Sequence, residues 1–386
     1  MFASFFVFLK TKVVVPLVTG LIALFGIAPP PSHVYVPEKV SPAAVALPVA
    51  TPTLPSPASP VKKAATVATA TPEQKTAAAA SPEVKISALK RSILAQIDRG
   101  ERLPTEEVNA RVRSTLMNVF CTTRVGGDFS SISGTGIVIS GTGLVLTNAH
   151  LAQYLLLKDY GGKDSLTCVG RTGNPVVPVY TLELAYIPRS WVEENASKIR
   201  DERAVGTGEH DFAFLAVTGM VSGAPLPPLP YAALETEDVF VTGTPVLLAA
   251  YPAGFLGGIL VSNNLWLTSS ADDIDLLYYF NDKTNIDAFS VTGNILSQKG
   301  ASGGAVVSLL SGKLLGMITT ATDAATTGER DLTALTLTYI KSEFEKDTGK
   351  AFERFLDAPP AALVKEFDEH ARRALETIMI KALERR

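Results

Sequence analysis

Three polar islands interrupt the apolar stretches of this chain, and each carries a side chain suited to proton transfer or nucleophilic attack. The first is Thr147-Asn148-Ala149-His150, just beyond an apolar run, where a neutral imidazole can take a hydroxyl proton near physiological pH. The second is Asp211, at the mouth of Phe212-Ala213-Phe214-Leu215-Ala216-Val217. A carboxylate there must be hydrogen-bonded, and an imidazole N–H is the donor that would fix the tautomer a general base needs. His210 is the rival base, but as the chain neighbour of Asp211 it faces the other way in an extended strand. The third is Gly300-Ala301-Ser302-Gly303-Gly304. Glycines around a serine allow a tight turn in which the N–H groups of Gly300 and Ser302 converge beside the hydroxyl and hold an oxyanion. Each island alone has an ordinary structural explanation; together they supply base, orienting acid and nucleophile for acyl transfer.

Side chains this far apart meet only if the intervening chain folds as one body. Residues 118–345 read as β-rich, with short apolar or alternating runs such as 120–125, 136–139, 176–184, 246–251 and 314–320 between glycine, proline and polar turns. Long helices do not alternate with them, so a closed or sandwiched β architecture is expected rather than an α/β sheet. Helical spacing appears on either side, in residues 83–117 and 346–386. Ile86, Leu89, Ile93 and Ile97 form one stripe, Val108, Val112, Leu116 and Val119 a second. Leu363, Phe367, Ala371, Leu375, Ile378 and Ala382 form a third after Pro359-Pro360. These faces need cover, from the chain's own body or from another copy.

The 35 basic and 38 acidic residues leave a formal charge of -3, which argues against a protein built on phosphate neutralisation; no nucleic-acid partner is expected. Two cysteines, Cys121 and Cys168, exclude a four-thiolate zinc module and a multiply bridged scaffold. They read either as one disulfide or as two buried thiols. Lys10 and Lys12 precede the apolar run 13–28, so residues 1–29 are expected to be an export signal or membrane anchor with the rest of the chain outside. Residues 30–82 follow as a Pro/Ala-rich linker unable to form a core; the stretch 29–82 holds twelve prolines. The localisation expected is the cell envelope or periplasm, anchored where the leader stays uncut. The acidic turn Asp272, Asp273 and Asp275 reads as a solvated loop, and His370 has no histidine at ligand spacing.

In chain order His150, Asp211, Ser302, with the serine in a glycine-rich turn, the sequence resembles the trypsin-like serine proteases, bacterial and HtrA-like in flavour, without a recognisable PDZ domain. An α/β-hydrolase would place its serine first, in a Gly-x-Ser-x-Gly elbow. The resemblance runs over residues 118–341, through Gly134-Thr135-Gly136, Thr147 to His150, Asp211 to Leu215, and Gly300 to Gly304. It implies a mostly β fold of two packed six-stranded antiparallel barrels of the chymotrypsin type. It also implies a serine endopeptidase acting on polypeptides through an acyl-enzyme, with no metal or organic cofactor. Ser311 to Thr319 resembles the hairpin after the nucleophile, whose return strand binds substrate backbone in the family. The primary pocket is then expected between 295–299, with Leu296 and Lys299, and Thr319, Thr320 and Ala321, favouring cleavage after a small or medium apolar residue. Ala301 and Ala305 depart from the family pattern around the serine. The alternative is a protease-like binding or assembly protein with weak turnover; homo-oligomerisation through the flanking helices is a further expectation.

Overall fold

The first strand begins where the sequence pattern would extend a helix. In the computed structural model, which describes residues 87–123, 131–200, 207–254, 258–280, 285–321 and 331–385, the helix Thr105–Ser114 buries Val108 and Val112 and then stops, Thr115 Oγ1 donating to Val112 O at 2.8 Å. Leu116 and Val119 continue the apolar pattern in strand β1 (Leu116–Thr123), which pairs antiparallel with β2 (Ile132–Val138) on one side and β4 (Leu166–Gly173) on the other. A short helical stripe and a strand buried on both faces look alike in sequence; pairing on two edges decides for the strand. With β3 (Leu144–Thr147), β5 (Val176–Tyr186) and β6 (Ala213–Met220) the sheet closes as β1-β2-β3-β6-β5-β4. This is the six-stranded antiparallel barrel the sequence leads one to expect. Closure leaves no unpaired edge, and Met117, Val119, Val145, Leu184 and Leu215 fill one core within it.

Cys121 and Cys168 stand directly opposite each other in the β1–β4 register and form a disulfide. The bond closes a loop with a sequence separation of 47. Replacing both cysteines with alanine is expected to cost about 2–4 kcal/mol of stability, chiefly by freeing the unfolded chain. Urea unfolding of the two proteins measures this, and coincident midpoints would reject it.

The second sheet corrects the expectation of a second closed six-stranded barrel. It has seven strands, β7 (Pro245–Ala250), β8 (Thr268–Asp273), β9 (Leu277–Tyr278), β10 (Ala288–Thr292), β11 (Ala305–Ser308), β12 (Leu314–Ala321) and β13 (Asp331–Thr336), in the order β8-β7-β11-β12-β13-β10-β9. Its two edges are consecutive pieces of chain. Ile274 N–H still donates to Thr244 O at 3.0 Å, beside β7, whereas Asp275 N–H donates to Ser290 O at 2.9 Å, in β10. The bend at this change of partner splits one long strand in two, so the sheet curls into a half-barrel. Strands β9, β10 and β13 were not among the runs read from the sequence.

The flanking helices pack on the chain's own body. Ile93, in the helix Ala88–Asp98, shares a core with Val239, Phe240 and Val246, and Lys90 Nζ pairs with Asp238 at 2.7 Å. At the other end, the helices Pro360–Phe367 and Arg373–Glu384 are joined by a π turn, Asp368–Arg372. Their buried residues are Leu363, Phe367, Leu375, Met379 and Leu383. Phe367, Leu375, Met379 and Leu383 join Leu155, Trp191 and Val192 in one core of the first barrel, while Leu363 packs in the neighbouring core with Phe214, Phe344 and Phe355. The sequence stripe runs instead through Ile378 and Ala382. Leu375, after the π turn, still lies on the stripe; beyond it the fully buried positions are Met379 and Leu383, with Ile378 and Ala382 half-buried beside them. The expected leader (1–29) and the whole of the expected linker (30–82) lie outside the described residues, and among the described residues no helix is long and apolar enough to cross a membrane.

Candidate active site

Strand register brings the first two islands together. Thr147, the last residue of β3, stands opposite Ala213, the first residue of β6. The chain just beyond β3 therefore lies beside the chain just before β6. His150 N–H donates to Asp211 Oδ1 at 2.9 Å, and His150 Nδ1 lies 2.8 Å from Asp211 Oδ2. A carboxylate can only accept, so the proton is on Nδ1 and Nε2 is left free to act as a base. Asn148 Nδ2 donates to Asp211 O at 2.9 Å and ties the same turn from the backbone side. Asp211 is only 5% exposed. Burial lowers the affinity of His150 for a proton, but the charge of Asp211 and its hydrogen bond outweigh that and hold the imidazole above its ordinary value.

The half-barrel supplies the third donor. Thr319, in β12, gives its Oγ1 proton to Asp211 Oδ2 at 2.9 Å, and its carbonyl accepts from Ser302 Oγ at 3.5 Å. One residue thus touches both the acid and the serine. Among the described residues no hydrogen bond joins Ser302 to His150; such bonds commonly tighten only when substrate is bound.

The serine loop is pinned to the first barrel by two threonines. Thr135 N–H donates to Ser302 O at 2.8 Å, and Thr135 Oγ1 donates to Gly300 O at 3.1 Å while accepting from Tyr251 N–H at 2.9 Å. Thr147 Oγ1 donates to Thr135 O at 2.7 Å. Glycine is obligatory at 303: φ is +81° and an added Cβ would stand 1.8 Å from Thr135 O. Within the loop, the N–H groups of Ala301, Gly303 and Gly304 are committed to Gln298 O, Ile318 O and Ala301 O. Those of Gly300 and Ser302 donate to no group among the described residues, which leaves two amides beside the hydroxyl for a developing negative charge.

The other expected residues fall less simply. Leu296 is fully buried in the core of the half-barrel and presents no surface to a ligand, so it does not form an open pocket wall here. Lys299 is exposed, and its carbonyl accepts from Ala253 N–H at 2.8 Å. Thr319 is buried beneath Asp211. Thr320 and Ala321 end β12, paired with Thr333 and Leu332. His210 is not on Asp211: its Nε2 meets Glu343 Oε2 at 3.0 Å. Asp272 and Asp273 end strand β8 rather than lying in a loop; Asp272 accepts from Asn294 at 3.2 Å and Asp273 pairs with Arg102 at 3.4 Å. The parts that reading by residue type missed are the hydroxyls of Thr135, Thr147 and Thr319. Their only sequence signal is position: Thr147 ends β3, and Thr135 and Thr319 lie within β2 and β12.

The imidazole of His150 is held by a buried carboxylate, and Thr319 touches both that carboxylate and Ser302, at the junction of a β-barrel and a curled sheet. Residues 134–317 match the family model of the trypsin-like peptidase domain, and the chain, carrying that domain, is a serine endopeptidase. Similar solved structures include the Rv3671c protease from M. tuberculosis in its active form, at 20% identity over 63% of this chain and 85% of that one, TM-score 0.39. The serine endoprotease from Yersinia pestis matches at 18% identity over 64% and 67% of the two chains, TM-score 0.40. An HtrA-type protease with a bound tripeptide matches at 18% identity over 64% and 65%, TM-score 0.39. No curated protein sequence matches the chain.

Proposed function

We propose that this protein is an exported endopeptidase in which Ser302 attacks the peptide carbonyl, His150 takes its proton, and Asp211 orients and stabilises the imidazolium. The N–H groups of Gly300 and Ser302 receive the carbonyl oxygen as it becomes negative. His150 then returns the proton to the leaving amine, and a water activated by the same imidazole releases the acyl-enzyme. The observation that carries this reading is the shared contact of Asp211 Oδ2, which takes His150 Nδ1 at 2.8 Å and the hydroxyl of Thr319 at 2.9 Å, the residue whose carbonyl faces Ser302. No acidic side chain occurs among 295–299 or 319–321 to hold a cationic substrate residue, which supports cleavage after small or medium apolar residues. Export to the envelope is supported by the lysine-flanked apolar leader and by the bonded cysteines, since disulfides persist mainly in oxidising compartments.

The test is covalent. A fluorophosphonate probe, which reacts with activated serines, should label the protein once, and mass mapping should put the label on Ser302. Parallel digestion of an unfolded protein would give the cleavage preference from the product masses. A folded protein that neither takes the label nor cuts the substrate would favour the binding or assembly reading instead.

A further inference from the structure

The residue immediately before Asp211 holds an uncommon backbone conformation for a side chain with a Cβ. His210 has φ +57°, in the left-handed region where a Cβ crowds the backbone. Non-glycine residues persist there when their surroundings over-determine them. The restraint comes from the helix Leu337–Thr348, which follows the last strand of the half-barrel and presents Tyr339 and Glu343 one turn apart. His210 is tied to both. Its backbone N–H donates to Tyr339 Oη at 3.2 Å, and its Nε2 lies 3.0 Å from Glu343 Oε2. The imidazole tilts over the Tyr339 ring with centroids 6.3 Å apart. Its Nδ1 is buried without a partner among the described residues. The neutral ring therefore carries its proton on Nε2, where Glu343 accepts it. The second oxygen of Glu343 faces Lys346 Nζ at 3.3 Å.

This turn has little freedom of its own. Asp211 N–H donates to Gly208 O at 3.1 Å and Phe212 N–H to His210 O at 2.8 Å. Rotation of His210 about φ would turn the Asp211 carboxylate relative to His150 Nδ1; Asn148 holds the Asp211 carbonyl and Thr319 holds Oδ2, and His210 sets the backbone from which both project. We propose that Glu343 and His210 form a positioning clamp, through which the helix Leu337–Thr348 fixes the carboxylate that orients His150. The inference rests on the reading of Asp211 as the orienting acid. It assigns to Glu343, remote in sequence from all three islands, a part in the reaction that works through His210.

Two variants separate the clamp from backbone strain. His210→Gly relieves the left-handed φ while removing the side chain, and Glu343→Gln keeps the shape but removes the charge. Each is expected to lower kcat by about tenfold or more, as small misplacements of reacting groups do, with KM within about twofold. The ascending limb of the pH profile should move toward the ordinary histidine value, because His150 loses part of its hold on Asp211. The double variant should be no slower than the slower single one, since both changes break one unit. An independent readout is the far-downfield proton resonance of His150 Nδ1, recorded on the folded protein without substrate, which should weaken or shift in both variants. Wild-type kcat and an unmoved resonance in His210→Gly would overturn the clamp, as would additive losses in the double variant. Should His210→Gly fail to fold, Glu343→Gln at the helix surface decides by the same two measures. A wild-type protein that does not cut through Ser302 would instead remove the proposed reaction, and the resonance would still report whether the clamp exists.

Discussion

Ser302→Ala is expected to lower kcat/KM for peptide cleavage by about a million-fold, the loss seen where a serine nucleophile acts as a unit with its base. The substitution removes only an oxygen. Among the described residues Ser302 Oγ makes one hydrogen bond, to Thr319 O at 3.5 Å, while the loop is held by backbone bonds from Thr135 N–H and Gly303 N–H. None of these involves the hydroxyl, so the folded protein and its affinity for substrate should persist. The free amides of Gly300 and Ser302 remain, and a residual acceleration of about a thousandfold over water is expected from them and from binding. Single-turnover assays with an unfolded protein substrate measure the loss. A variant cutting within tenfold of the wild-type rate would place the chemistry on another residue.

Asp211→Asn is expected to lower kcat by about ten-thousandfold, because an amide in place of the carboxylate no longer fixes the proton on His150 Nδ1. Here the effect also has a sign in pH. Asp211 raises the imidazole above its ordinary value against the opposing effect of burial, and the neutral imidazole is the active form. Wild-type activity should therefore rise with pH through a value above that of a free histidine, and the residual activity of the variant should rise at lower pH. Stability follows the same linkage. A raised folded-state value means that the charged pair stabilises the fold fully below the ordinary histidine value, and that this gain fades as pH rises through the raised one. The stability difference between wild type and variant should shrink across that window. A variant whose pH–rate profile superimposes on the wild type would separate Asp211 from the base.

The clamp on His210 shows how far residue types could be read without coordinates. Sequence reasoning set His210 aside as the base because neighbours on a strand face apart. The structure gives a different local picture: His210 precedes the strand, in a left-handed turn, and its ring meets Glu343 rather than Asp211. Thr319 was expected in a pocket wall and instead donates to the acid. Leu296 was expected beside it and is core. In each case the side of the strand or loop that a residue faces depends on register and bulges. Strand β12 shifts register against β13 between Ile318 and Thr320, right at Thr319.

What the chain alone determined is local and chemical: a serine between glycines, an imidazole after a strand, a carboxylate before another, an antiparallel β body and helices at both ends. Those features follow from side-chain type, glycine's access to positive φ and the two-residue period of strands, none of which needs distant information. Only the tertiary structure decided that the first sheet closes while the second curls into a half-barrel, because that depends on where one strand changes partner, at Ile274 and Asp275. It alone set which residues of the final helix are fully buried, Met379 and Leu383 rather than Ile378 and Ala382. It also showed that Asp211 is gripped from both halves of the body, by Asn148 and His150 on one side and Thr319 on the other. Contacts between residues far apart in the chain depend on long-range register, and a one-residue slip there turns a side chain to the opposite face.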